Sequence, residues 1–171
     1  AGFASISQSG LTNGSKLLAS MLMIIGGSPA GTAGGIKTTT VAVLLLTAIS
    51  VLRGNKDTEC YGRKITFEII RVGITITLVT FVFWLFGVTV MTVIEPQQKV
   101  LDLMFEATSA MATVGLTADL TPVLSDISHV VLMLMMYIGR IGPMTMALIF
   151  SGHVDKKNQF RTLPEAKIMV G

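Results

Sequence analysis

Charged residues are scarce in this chain. They make up 13% of its 171 residues, against roughly 25% in a typical soluble domain. Hydrophobic residues make up 51% and the mean hydropathy is +0.71, so too few polar side chains remain to cover a soluble globule. The composition therefore excludes an ordinary soluble enzyme and predicts a membrane protein.

Cysteine is nearly absent as well. The single Cys60 excludes a disulfide framework and a thiolate metal cage within one chain. No signal peptide is visible, and the first residue is Ala1 rather than Met. We interpret the chain as a fragment of a longer protein.

The basic residues lie unevenly along the chain. Only Lys16 and Lys99 flank one side of the predicted membrane segments. Two larger groups flank the other side: Arg53, Lys56, Arg63, Lys64 and Arg71, then Lys156, Lys157, Arg161 and Lys167. By the positive-inside rule, this asymmetry places the loop 53–64 and the C-terminus in the cytoplasm. It explains the basic composition without a nucleic-acid partner.

Three apolar regions predict membrane helices. Residues 65–94 form the plainest spanning segment, and residues 130–150 form a second. The region 15–52 is too long for one crossing, because a helix over 17–52 would run ~54 Å through a hydrocarbon core of ~30 Å. Within it, residues 26–35 hold five glycines and a proline. This segment, called the break, predicts an irregular join between two helices.

The break is a candidate functional site. Irregular backbone is tolerated at membrane depth only where protein or a water-filled cavity satisfies its polar groups, so we interpret the break as part of a transport pathway. A nucleotide-binding loop is a poor alternative. Residues 31–38 nearly fit G-x-x-x-x-G-K-[ST], but Ile36 replaces the second required glycine and a membrane helix, not a strand, precedes them.

A short helix is predicted over residues 103–113. At ~16 Å it cannot span the membrane, so it predicts a re-entrant hairpin whose C-terminal carbonyl end favours a cation. The following Thr113-Val114-Gly115 resembles a potassium filter, in which backbone carbonyls replace the hydration shell of the ion. A helix C-cap at Gly115 explains the same glycine as simply.

Several charged side chains have more than one interpretation. Arg140 lies inside an apolar run, where it is either a gate that meets the carbonyls of the break or a structural arginine whose partner is outside this fragment. Lys37 either acts at the break, reaches the cytoplasmic face or caps carbonyls. The outer acids either raise the local cation concentration or form a solvated rim: Asp102, Glu106, Asp119 and Asp126.

Three segments, taken in order, resemble the Trk/Ktr/HKT potassium transporter family, most closely the C-terminal part of a KtrB-type membrane subunit. They are GGSPAGTAGGIKTTT at 26–40, ATVGLTADLTP at 112–122 and YIGRIGPMTM at 137–146. The resemblance implies four repeats of helix, pore loop and helix around one pore. Residues 1–52 would then end the third repeat, residues 65–150 would form the fourth, and residues 151–171 would be a cytoplasmic tail.

The resemblance also implies roles for individual residues. The ion-binding filter residues would be Gly2, Phe3, Thr113, Val114, Gly115 and Leu116. The gate residues would be Gly26, Gly27, Gly31, Gly34, Gly35, Lys37 and Arg140. In this family a serine in place of a filter glycine, notably in the first repeat, goes with sodium transport. That position cannot be read in this sequence, and glycine at both visible filter positions favours potassium.

The expected architecture is an all-α membrane protein with one broken transmembrane helix. The resemblance implies a homodimer in the cell membrane, with a cytosolic ring of nucleotide-binding regulatory subunits docked on the side of the basic loop and the tail. The expected function is potassium uptake, passive or sodium-stimulated, without enzymatic chemistry or a cofactor. The alternative is a secondary solute symporter that binds its substrate at the broken helix.

Overall fold

The computed structural model describes residues 3–29, 33–55 and 57–141. The predicted filter residue Gly2 and the predicted gate residue Gly31 lie outside the described residues. So do residues 142–150 of the second predicted spanning helix and the tail 151–171.

Helices dominate the described structure, as the composition predicted. The five α-helices are α1 (Asn13–Ile24), α2 (Thr38–Leu52), α3 (Phe67–Ile94), α4 (Val100–Met111) and α5 (Asp126–Ile141). The loop between α2 and α3 folds as a two-stranded antiparallel hairpin, β1 (Glu59–Cys60) with β2 (Arg63–Lys64). This hairpin was not predicted. Short 3-10 turns precede α1 and α5, at Gln8–Gly10 and Thr121–Val123.

The long helix α3 confirms the segment predicted at 65–94. In the part of the chain that the structure describes, it is the one helix long and apolar enough to cross a membrane. Its threonines fit a helix despite their branched Cβ, because each hydroxyl donates to the carbonyl four residues earlier. Examples are Thr77 to Gly73 at 2.9 Å and Thr80 to Ile76 at 2.7 Å.

The short helix α4 is the centre of the core. Eight of its residues are buried, and it packs against α1, α3 and α5. The approach of α5 is so close that a Cβ built on Gly139 would lie 1.8 Å from the carbonyl oxygen of Met111. Helices reach such backbone contact only where one of them carries glycine. The end of α4 is therefore fixed in space by α5.

Two sets of polar contacts join the helix ends on the side that the sequence predicts to face away from the cytoplasm. Lys16 of α1, which is only 6% exposed, forms a salt bridge of 2.7 Å with Asp102 in the first turn of α4. Glu95 follows the last residue of α3 and accepts hydrogen bonds from the Ser125 amide at 2.8 Å and the Ser128 hydroxyl at 2.9 Å. Glu95 thereby satisfies donors at the start of α5.

Candidate functional site

The break lies between the end of α1 and the start of α2. The Gly26 amide donates to the Ile36 carbonyl at 2.8 Å, and the Ile36 amide donates to the Ile24 carbonyl at 3.0 Å. These bonds form a parallel bridge between Ile25 and Ile36. The segment that follows α1 and the segment that precedes α2 therefore lie side by side and run in the same direction.

Glycines allow this loop to close. A Cβ on Gly26 would lie 2.0 Å from the carbonyl oxygen of Gly34. Gly35 has φ +75°, and a Cβ there would lie 2.9 Å from the carbonyl oxygen of Ile24. Both positions need a residue without a side chain, one for close approach and one for its backbone conformation.

Lys37 contacts the break directly. Its ammonium group donates to the Ala33 carbonyl at 2.7 Å, which is the carbonyl contact among the alternatives raised by the sequence. Lys37 is also the N-cap residue of α2. One side chain thus links the break to the start of the following helix.

The C-terminus of α4 has an unusual cap. The Thr113 amide donates to the Ala110 carbonyl at 3.1 Å, and the Val114 amide donates to the Ser109 carbonyl at 2.9 Å. This pair of bonds is the Schellman motif, in which the residue after the C-cap is left-handed and usually glycine. Here that residue is Thr113, with φ +53°.

The cap lies earlier in the chain than the sequence suggested. The helix predicted over 103–113 begins at Val100 and ends at Met111, with its C-cap at Ala112. The interpretation of Gly115 as the C-cap is therefore wrong, because the C-cap is Ala112 and the amides of Thr113 and Val114 make the capping bonds. Gly115 has its own left-handed conformation, with φ +86°, so the backbone turns again after the cap is complete.

The break and the end of α4 meet at one contact. The Gly34 amide donates to the hydroxyl oxygen of Thr113 at 2.8 Å. A Cβ on Gly34 would lie 2.8 Å from that oxygen and 3.0 Å from the Ala112 carbonyl oxygen. Two motifs singled out separately in the sequence are thus packed against each other, backbone against side chain.

Residues 112–125, called the return segment, connect α4 to α5 and are held by Glu106. This carboxylate is only 4% exposed. It accepts hydrogen bonds from the Thr117 hydroxyl at 2.5 Å, the Ala118 amide at 2.9 Å and the Thr121 hydroxyl at 2.9 Å. The interpretation of the outer acids as a solvated rim is therefore wrong for Glu106.

A second carboxylate ties the return segment to the N-terminal residues. Asp119 accepts hydrogen bonds from the hydroxyls of Ser7 and Ser9. These bonds hold the pKa of Asp119 below its ordinary value, the Ser7 bond contributing most. Hydrogen bonds from Ser125 and Ser128 likewise lower the pKa of Glu95. Both carboxylates thus favour the ionised form that the hydrogen bonds require.

A groove of about 590 Å³ runs along one side of the return segment. Its lining includes Glu106, Thr113, Gly115, Leu116, Tyr137 and Arg140. The structure therefore places Arg140 in the same groove as three predicted filter residues. Two further predicted filter residues are described outside this lining: Val114, which is half-buried, and Phe3, which is 93% exposed.

Comparison with known proteins decides the family. Residues 1–161 match the TrkH family of cation transport proteins. The chain belongs to this family. The similarity to the Trk/Ktr/HKT transporters seen in the sequence is thereby confirmed. The family is named for cation transport and the relatives below are named uptake proteins, so the family is one of ion transporters and not of enzymes.

Individual relatives support the same family. The Ktr system potassium uptake protein B of Bacillus subtilis (strain 168) is 35% identical over 100% of this chain and 38% of its own length. The potassium/sodium uptake protein NtpJ of Enterococcus hirae is 34% identical over 100% of this chain and 39% of its own length. The chain therefore spans less than half of these relatives.

Two contacts of α4 in this TrkH-family chain were not predicted from the sequence. The sequence analysis groups Glu106 with the outer acids. One signal for its burial is present, because Glu106 lies on the same short helix as the apolar Leu103 and Ala107. Trp84 donates through its indole N–H to the Thr108 hydroxyl at 2.9 Å. Nothing in the sequence alone links these two residues, because the contact joins different helices.

Proposed function

We propose that this chain forms part of a potassium uptake pathway across the cell membrane. Backbone carbonyls near Thr113, Val114, Gly115 and Leu116 would bind the dehydrated ion, and the break together with Arg140 would gate its passage. In this proposal α1 and α2 are the two halves of one broken transmembrane helix. The alternative of an organic solute symporter is not favoured, since the matched relatives are named for potassium or potassium and sodium.

The observation that carries the proposal is the backbone between α4 and α5. The helix ends at Met111, and two left-handed residues, Thr113 and Gly115, follow within four positions. Successive carbonyls can leave the helical direction and converge on a shared axis only where such conformations occur. The C-terminal end of α4 also carries partial negative charge, which favours a cation.

Replacing Gly115 by serine tests the filter. A side chain at φ +86° strains the backbone, so we expect Gly115→Ser to reduce the preference for potassium over sodium about tenfold, which corresponds to ~1.4 kcal/mol. The measurement is competitive rubidium and sodium uptake by the full-length transporter in proteoliposomes. Gly10→Ser is the matched control, because Gly10 has open space around it and no left-handed φ. Unchanged selectivity in Gly115→Ser would contradict the filter assignment.

The gate is tested at Arg140. If its guanidinium group obstructs the pathway, Arg140→Ala raises the basal flux of potassium. Arg140→Lys keeps the charge but lacks the planar guanidinium group, so its flux should fall between that of wild type and that of Arg140→Ala. Flux is measured per correctly folded molecule, after size-exclusion chromatography. Loss of folded protein in Arg140→Ala, with normal flux in what remains, would support a structural arginine instead.

The remaining assignments concern the assembly. We propose that the loop 53–64 and the C-terminus face the cytoplasm, that the transporter is a homodimer, and that a ring of nucleotide-binding subunits docks on this side. The exposed basic residues Arg63 and Lys64 of the hairpin support the orientation. Three relatives are named as Ktr system proteins. Labelling a cysteine placed at position 63 from either side of the membrane would test the orientation.

A further inference from the structure

The peptide unit between Ala33 and Gly34 is held from both ends. Its carbonyl oxygen accepts a hydrogen bond from the Lys37 ammonium group at 2.7 Å. Its amide donates to the Thr113 hydroxyl at 2.8 Å. One partner belongs to the start of α2 and the other to the end of α4. A rotation of this one peptide unit would therefore lose both bonds together.

We propose that this peptide unit is a latch between gate and filter, and that Thr113 is its positioning residue. The proposal rests on the proposed function, because it takes the break as the gate and the backbone after Thr113 as the filter. It assigns to the Thr113 side chain a role that is separate from ion binding. The hydroxyl holds the break closed, and the closed break in turn holds Thr113 in its left-handed conformation.

The residue types at the contact support this role. Glycine is the usual residue in the left-handed position of a Schellman motif, and a β-branched residue is disfavoured there. Thr113 is retained at φ +53° where glycine would relieve the strain, and what it adds is an oxygen for Gly34. Gly34, in turn, has no space for a Cβ between Thr113 and Ala112. Thr113 carries the hydroxyl that the Gly34 amide needs as acceptor, and Gly34 lacks the Cβ that would clash with Thr113.

Coupling follows from the position of Thr113. When the break moves to admit an ion, the Gly34 amide leaves the hydroxyl and the strained turn loses its partner. Val114 and Gly115 follow immediately in the chain, so a change at Thr113 alters the backbone that would bind the ion. Opening of the gate and loss of order in the filter are then coupled, and a single coupling free energy describes the effect of each on the other.

Three substitutions at Thr113 separate the hydroxyl from the backbone turn. Thr113→Val keeps the shape and removes the hydroxyl, and Thr113→Ser keeps the hydroxyl. Thr113→Gly removes the hydroxyl but accepts the left-handed conformation, so it guards against a valine variant that fails to fold. Each is compared in the full-length transporter, as rubidium and sodium flux in proteoliposomes.

We expect both Thr113→Val and Thr113→Gly to raise basal rubidium flux about two- to tenfold, the shift that the loss of one hydrogen bond gives in an equilibrium. Thr113→Ser keeps the hydroxyl, so its basal flux should rise less than that of the other two variants. Selectivity should fall in the valine variant and be kept in the glycine variant, because glycine holds the turn without help. Basal flux unchanged in the glycine variant, or raised equally in the serine variant, would overturn the latch.

Lys37→Met tests the other end of the same peptide unit. Because rotation breaks both bonds at once, the effects of Lys37→Met and Thr113→Gly on basal flux should be less than additive in the double variant. Additive effects would overturn the latch. The proposed function fails separately, through unchanged selectivity in Gly115→Ser, so a normal result at Thr113 with altered selectivity at Gly115 removes the latch and leaves the filter.

Discussion

The break and the return segment are two irregular connections held in opposite ways. Two carboxylates hold the return segment. Glu106 of α4 accepts hydrogen bonds from three donors of the segment, and Asp119, within the segment, accepts hydrogen bonds from two serines near the N-terminus. The described part of the break is closed by its own backbone bonds, by glycines in close contact and by the peptide contacts of Lys37 and Thr113. None of these bonds of residues 26–29 and 33–35 involves a carboxylate.

This difference has a physical consequence. Hydrogen bonds to a buried carboxylate are strong, and breaking them leaves a charge without partners, which is costly. Apart from the charged Lys37 contact, the break is held by backbone and hydroxyl bonds, which are individually weaker and can be exchanged for bonds to water or to other carbonyls. The return segment is therefore suited to holding a fixed geometry, and the break is suited to changing between two. A selective pathway with a gate needs both properties.

The largest expected effect comes from adding one methyl group to the break. Gly26→Ala places a Cβ against the carbonyl oxygen of Gly34, a backbone atom that cannot move aside alone. We expect a loss of about 3 kcal/mol or more in the free energy of unfolding, together with altered flux. Thermal unfolding in detergent measures the first quantity. Gly14→Ala is the control, because Gly14 has open space and a helical position that alanine stabilises. Equal stability of the two variants would show that the break is not closed as described.

A smaller effect is expected from neutralising the buried carboxylate of the return segment. Glu106→Gln replaces one acceptor oxygen by an NH2 group, which then faces a donor. We expect a loss of about 1 to 3 kcal/mol in the free energy of unfolding and weaker ion selectivity, with little change in basal flux. The exposed Glu68 in the first turn of α3 gives the matched control Glu68→Gln. A rise in basal flux as large as that of the break variants would erase the distinction between the two connections.

The smallest effect is a dependence on acid. Asp119 and Glu95 have pKa values below their ordinary ones in the folded chain, so their hydrogen bonds contribute stability above about pH 4 that is lost as the pH falls through the folded pKa. Replacing Ser7 and Ser9 by alanine should flatten the decline in unfolding temperature between about pH 5 and pH 3. An identical decline in the double variant would show that Asp119 does not contribute.

The sequence was sufficient for features that depend on local composition. The apolar run at α3, the five glycines of the break and the short length of α4 each predicted their element, with ends that shifted by a few residues. Contacts between distant segments were not predictable. The bond between Gly34 and Thr113 joins residues far apart in the chain, and the role of Glu106 depends on a return segment that folds back over α4. Hydrophobic periodicity carries no record of such pairs.

The parallel bridge between Ile25 and Ile36 determines how the glycine loop can come apart. The hydrogen bonds of an antiparallel hairpin can break one pair at a time, starting from the end away from the turn. The loop in this chain is closed by a parallel bridge, with α1 before it and α2 after it. It has no free end, so the hydrogen bonds of the bridge must break together. If the break gates the pathway, as we propose, this closure favours two positions, closed and open, without intermediates between them.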